Sequence, residues 1–126
     1  MTLPNDRKYS PSHEWVKVQG DVYLVGITDN AQAQLGDLVY VGDVKVGAVL
    51  AAGDTAGVVE SVKAASDLIA PVDCEVVEFN EVLESQPELL NEAPMDTWIY
   101  KIRAKNPGDV DELLDGEGYL ALVDAG

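Results

Sequence analysis

Apolar residues along the chain come in short runs, among them Trp15-Val16, Val22-Tyr23-Leu24-Val25, Leu38-Val39-Tyr40-Val41 and Val58-Val59. Each run is bounded by Gly, Asp, Asn or Pro, which is the pattern of half-buried strands in a sandwich or barrel. Gly20-Asp21 falls between residues 15–18 and 22–27 and predicts a hairpin turn. Gly36-Asp37 and Gly53-Asp54 punctuate the chain in the same way. The regular spacing of these signals predicts a mainly β protein.

Three segments break the strand pattern and predict short helices. Thr28-Asp29-Asn30 leads into Ala31-Gln32-Ala33-Gln34-Leu35 and then Gly36, a polar cap, helix formers and a glycine stop. Residues 80–84 and 87–90 predict a turn or two of helix. Asn106-Pro107-Gly108-Asp109 opens a predicted C-terminal helix over Val110–Leu114, with acids placed to favour the helix dipole. No linker or low-complexity tract divides the chain, so residues 1–126 read as a single domain.

Charge narrows the function. Twenty-three acids against eight bases give a net charge of −15. Such a chain is repelled by nucleic-acid phosphates and by anionic membrane surfaces. No apolar stretch reaches the ~20 residues that span a bilayer. The opening residues lack the features of a secretory or transit segment, so a reducing cytoplasm is the expected address. The acids from Asp67 to Asp96 meet no base until Lys101, which predicts a solvated surface that steers toward basic partners.

Candidate chemistry is sparse. The single cysteine, Cys74, excludes an intrachain disulfide. With one histidine, His13, no soft metal-ligand set can form. There is no Gly-x-Ser-x-Gly elbow and no phosphate-binding glycine loop. Acidic neighbours disfavour the thiolate of Cys74, so it reads as a structural residue. These absences point away from an enzyme. One segment stands out: Val58-Val59-Glu60-Ser61-Val62-Lys63-Ala64-Ala65-Ser66-Asp67-Leu68-Ile69-Ala70-Pro71. It sets one lysine between two strand-like runs, with small residues after it, where a modifying ligase could reach the amine.

That segment resembles the lipoyl-attachment signature of the glycine-cleavage H-protein family, a Val-Glu-Ser-Val-Lys-Ala core followed by Ser-Asp. The resemblance extends to Tyr9–Val16, to Val25–Asp29 with Ala31-Gln32 and Leu35-Gly36-Asp37, and to the stretches 75–80, 87–92 and 111–114. It implies a lipoyl/biotinyl-type barrel-sandwich hybrid with lipoate in amide linkage on Lys63. Glu60, Ser61, Val62 and Ala64 would be the recognition context of the attaching lipoate ligase or lipoyl transferase. By the same resemblance Ser12, Glu14 and Asp67 would line a cleft where the loaded arm parks its cationic amine. The chain would then be a monomeric, non-catalytic carrier whose cofactor does the chemistry and whose tether keeps the intermediate local.

The departures from the family pattern bear on the client. Gly42-Asp43-Val44 replaces the usual Glu-Leu-Pro, Pro94-Met95-Asp96-Thr97-Trp98 is one residue short, and Cys74 stands where a glycine is usual. Loss of that glycine predicts an altered local turn. H-like lipoate-binding proteins also serve heterodisulfide-reductase-like complexes of bacterial sulfur oxidation, and the departures favour that client here. The alternatives are an aminomethyl carrier working with glycine decarboxylase, aminomethyltransferase and dihydrolipoyl dehydrogenase, and a lipoate store or relay.

Overall fold

The Gly20-Asp21 hairpin forms as expected: Gln19 pairs with Val22, and Gly20 takes φ 64°, a left-handed value that glycine adopts without strain. It joins β2 (Glu14–Gln19) to β3 (Val22–Ile27) in a computed structural model that describes residues 3, 4 and 6–125. The remaining strands are β1 (Lys8–Tyr9), β4 (Leu38–Gly42), β5 (Val49–Leu50), β6 (Thr55–Ser61), β7 (Ala65–Ile69), β8 (Cys74–Phe79) and β9 (Tyr100–Ala104). A six-stranded sheet runs β1-β2-β3-β9-β8-β5 and a three-stranded sheet runs β4-β6-β7, with antiparallel pairing throughout.

Alternation along the strands builds the core. Val16, Val25, Val76 and Ile102 of the larger sheet and Val41, Val59 and Leu68 of the smaller one are buried in one cluster. A second cluster gathers Tyr9, Trp15 and Tyr119, with Met95 and Trp98 packed against it. Trp15 lies over Gly26, where a Cβ would sit 2.5 Å from the indole, so that strand position admits no side chain. Arg7 stacks on the Trp15 ring at 4.7 Å and donates to the Met95 carbonyl, while Trp15 Nε1 donates to the Pro94 carbonyl at 2.9 Å.

The helices are α1 (Asp29–Leu35), α2 (Val82–Ser85), α3 (Leu89–Glu92), α4 (Pro107–Asp111) and α5 (Gly116–Ala125). The first is built as its sequence predicts: Thr28 Oγ1 accepts the Ala31 N–H, and Gly36 closes the end at φ 84°. The C-terminal expectation needs correcting. Helix α4 stops at Asp111, and Leu114 instead exchanges both backbone hydrogen bonds with Tyr9, extending the sheet edge beyond β1. The longest helix, α5, begins only afterwards, where Asp115 Oδ1 accepts the Gly118 N–H at 2.7 Å. It is held by Tyr119, which stacks on Tyr9 at 5.4 Å between ring centres.

At Cys74, where the lost glycine predicts an altered turn, the backbone is extended. Cys74 opens β8, paired with Leu50 and Ala104, and the non-glycine residues at positive φ among the described residues are His13 and Asp43. Extended backbone there accommodates any side chain, and burial is what Cys74 contributes.

Candidate functional site

Lys63 occupies the tip of the β6–β7 hairpin, and Ser61 shapes that tip. The Ser61 N–H donates to the Ala64 carbonyl at 2.7 Å. Its hydroxyl oxygen accepts the N–H groups of Lys63 and Ala64 at 3.3 and 3.1 Å, and its own proton goes to the Ala64 carbonyl. The serine of the motif therefore satisfies a turn too tight to satisfy itself. Val62 donates its N–H to the Asp37 carbonyl at 3.1 Å, which ties the tip to the loop after α1.

The lysine itself is free to react. Its side chain is exposed, and no ion pair among the described residues includes it. Its stem lies along Gly36, with Cε 3.4 Å from where a Cβ there would stand. Glu60 is on β6 between Tyr40 of β4 and Ala65 of β7, on the outward face, and Val62 is exposed beside the lysine. The five motif residues 60–64 are thus brought together on one projection.

Glu14 is the unusual acid of the molecule. It is 2% exposed, at the start of β2, yet its carboxylate is well partnered. Oε1 accepts from Ser12 Oγ at 2.8 Å and Ser10 Oγ at 3.2 Å, and Oε2 accepts the Ile69 N–H at 2.8 Å. Burial pushes the carboxyl up to about 7 against the pull of Ser12, Ile69 and Ser10. A tight turn presents the serines: His13 sits at φ 69° and donates its N–H to the Ser10 carbonyl. Of the three residues expected to line a cleft, Ser12 and Glu14 are hydrogen-bonded to each other. Asp67 does not join their hydrogen bonds; it is exposed on β7 opposite Val58, two residues before the Ile69 that Glu14 holds.

Three further residues escaped the sequence reading. Ser10 completes the Glu14 cage, and its only sequence signal is its nearness to Ser12. Tyr100 is fully buried, and its hydroxyl has no hydrogen-bond partner among the described residues; burial first, then the charges of Glu14 and Cys74, raise it well above the ordinary tyrosine range. Asn91 buckles the lysine's surroundings: it donates to the Gly36 carbonyl at 2.8 Å and the Gln32 amide at 3.1 Å, and accepts the Leu38 N–H at 2.9 Å.

A barrel-sandwich fold that raises an exposed lysine on the tip of its β6–β7 hairpin has the arrangement of a carrier domain. Residues 7–125 match the family described as glycine cleavage H-protein. The chain is similar to the glycine cleavage system H protein of Bordetella pertussis, 66% identical over 98% of this chain and 99% of that one. It is 50% identical to the Thermus thermophilus H protein over 99% of this chain and 98% of that one. The crystal structure of the Mycobacterium marinum H protein superposes with a TM-score of 0.87 at 36% identity, covering 97% and 99% of the two chains. The chain belongs to the glycine cleavage H-protein family, whose members are non-catalytic carriers of lipoate joined to a lysine.

These comparisons give no support to the sulfur-oxidation client that the departures favoured. In the 94–98 segment the Pro94 and Met95 carbonyls accept from Trp15 and Arg7, Met95 and Trp98 pack against the second core cluster, and Asp96 is exposed.

Proposed function

We propose that Lys63 carries lipoate and that the chain serves glycine decarboxylation, shuttling its load among glycine decarboxylase, aminomethyltransferase and dihydrolipoyl dehydrogenase. The observation that supports this most is the Ser61-built tip, which leaves the Lys63 amine exposed and out of any ion pair among the described residues. The residues present fit the group: the lysine stem runs past a glycine, and small Ala64 and Ala65 follow it. A lipoate ligase or lipoyl transferase is the expected attaching enzyme, with Glu60, Ser61, Val62 and Ala64 as its recognition context. Lipoate, when attached, supplies a dithiolane on a long arm that accepts and returns the one-carbon unit.

The chain's own residues orient and hold. Ser61, Val62 and Asp37 fix the pivot. Glu14 offers a buried carboxylate for a cationic amine, and its pKa of about 7 lets it hold or release a proton near neutrality. Ser10 and Ser12 keep that carboxylate aimed, and exposed Asp67 adds negative charge on the strand that Glu14 grips. No described helix is long and apolar enough to cross a membrane. A cytoplasmic, monomeric carrier accords with the net charge of −15 and the buried lone thiol. The test is exchange of labelled glycine with bicarbonate by glycine decarboxylase, with the lipoylated chain supplied as carrier. Robust exchange is expected; negligible exchange from folded, fully lipoylated protein would return the sulfur client to consideration.

A further inference from the structure

Helix α5 reaches the Glu14 turn through one hydroxyl. Tyr119 Oη lies 2.7 Å from His13 Nδ1 and 2.8 Å from Thr28 Oγ1. His13 and Thr28 are joined a second time by backbone, since the Thr28 N–H donates to the His13 carbonyl at 3.1 Å. The three residues close a ring that spans the turn before β2, the cap of α1 and the last helix. Tyr119 is 1% exposed, and its aromatic ring is held by the Tyr9 stack and by the His13 imidazole, edge-on at 5.7 Å.

What this ring of contacts holds is strained. His13 keeps φ at 69°, a left-handed backbone that a histidine occupies at a cost and that its surroundings must enforce. The bend sets Ser12 and Glu14 side by side, with Ser12 Oγ 2.8 Å from Glu14 Oε1, and the Glu14 N–H donates to Ser10 Oγ at 3.2 Å. On its other side is the cap of α1: Thr28 Oγ1 accepts the Ala31 N–H, and the helix runs from there to Gly36, against which the Lys63 stem lies. A hydroxyl has one proton and two lone pairs, so Tyr119 satisfies both neighbours in either tautomer of His13. With Nδ1 bare, Tyr119 donates to it and accepts from Thr28. With Nδ1 protonated, Tyr119 accepts from His13 and donates to Thr28. The link survives both.

We infer that Tyr119 is a positioning residue: its hydroxyl holds the Ser12–Glu14 turn through His13 and the start of α1 through Thr28, which makes α5 a working part of the site that receives the arm. This rests on the reading of Glu14 as the seat of a cationic amine. No hydrogen bond among the described residues joins Tyr119 to Glu14 or Lys63, so it acts through its two neighbours. A site of this kind depends on the groups that lock its own members in place.

The experiment compares wild type with Tyr119→Phe, His13→Asn, their double variant and Tyr9→Phe, each verified as folded by circular dichroism. Tyr119→Phe keeps the aromatic stack and deletes only the hydroxyl. His13→Asn breaks the link from the other end, with a residue that accepts left-handed backbone. Tyr9→Phe is the control: it deletes the hydroxyl of the stacked partner, which donates to the Pro4 carbonyl at 2.7 Å. The first readout is the carboxyl-carbon NMR titration of Glu14 in the bare chain, where no load is involved. Burial is the main cause of its midpoint at about 7, so a loosened, hydrated turn should bring the midpoint down toward 4.5 in Tyr119→Phe and in His13→Asn, and no further in the double variant. Loss of a histidine cation by itself would move it upward. The second readout is the labelled glycine carbon that the lipoylated carrier retains once the decarboxylase is removed. Retention time should fall roughly fivefold in Tyr119→Phe, the worth of one hydrogen bond, and stay at the wild-type value in Tyr9→Phe. An unmoved or raised Glu14 midpoint in folded Tyr119→Phe, an equal shift in Tyr9→Phe, or wild-type retention by Tyr119→Phe overturns the positioning role. Equal retention by wild type and Glu14→Gln instead overturns the reading of Glu14 as the amine's seat, and the role of Tyr119 toward the arm with it.

Discussion

Ile69 donates its backbone N–H across 2.8 Å to Oε2 of Glu14, so a buried carboxylate at the start of β2 in one sheet grips the strand that descends from the Lys63 hairpin in the other. The two residues are 55 positions apart in sequence. The contact satisfies an edge-strand donor and fixes where the acid lies relative to the Lys63 hairpin.

Glu14 should make stability fall as pH rises. Its folded pKa, about 7, lies above the ordinary value of 4.5, so the native state holds its proton where the unfolded chain has lost it. The stabilisation is complete below the unfolded value, is lost across roughly pH 4.5 to 7, and stays lost above that window. Glu14→Gln keeps an acceptor and removes the titration. Denaturation midpoints of the variant should lack this descending limb, and an unchanged wild-type slope in the variant would refute the assignment.

Lys63 should be the sole site of lipoylation. Incubation with a lipoate ligase should give one adduct by intact mass, mapped by peptide analysis to residue 63. Lys63→Arg should abolish labelling without changing the melting temperature, since the side chain contributes no ion pair among the described residues. An adduct on Lys45 or Lys101 would contradict the site.

Cys74 should be inert in the native protein. Burial, with Asp73 adding to it, pushes its thiol up to about 11, and the residue is 2% exposed. Alkylation by iodoacetamide at pH 8 should be negligible until denaturant is added. Cys74→Ser should retain lipoylation and carrier turnover, at a stability cost of about 1–3 kcal/mol for a buried hydroxyl without an assured partner. Loss of turnover with the fold preserved would give the thiol a function.

Gly26→Ala should destabilise by about 1–3 kcal/mol, because the new methyl enters the Trp15 ring position. Chemical denaturation would show it, together with a shift in tryptophan fluorescence. A neutral result would mean that the indole, and with it the Arg7 stack, moves freely.

Asn91→Ala should strip partners from the Leu38 N–H and the Gly36 carbonyl, at about 1–3 kcal/mol for each group left buried and unpaired. Amide exchange should quicken at the start of β4 and at the end of α1. Lipoylation of Lys63 should persist, since neither the Ser61 cradle nor the Val62-to-Asp37 bond involves Asn91.

The strands were legible because each local run carries its own turn chemistry, as Gly20-Asp21 and Gly36-Asp37 show. Lys63 was legible through a contiguous motif. Long-range partners leave no such trace: Asn91 meets Leu38, Gly36 and Gln32 across separations of 53, 55 and 59 residues. Helix α5 was missed because Gly116 and Gly118 break the apolar period, and because Leu113-Leu114 imitates a helix end where the chain is in fact paired with Tyr9. The Pro94 and Met95 carbonyls likewise take hydrogen bonds from Trp15 and Arg7 across the fold, contacts that no local pattern announces.

The Val62-to-Asp37 bond and the Ser61 cradle have a kinematic consequence. The bond ties the tip to the loop after α1, and the cradle closes the turn on itself, so the lysine Cα is placed by contacts independent of its own side chain. A group joined to Lys63 would move about that point through the single-bond torsions of the stem and of its own tether.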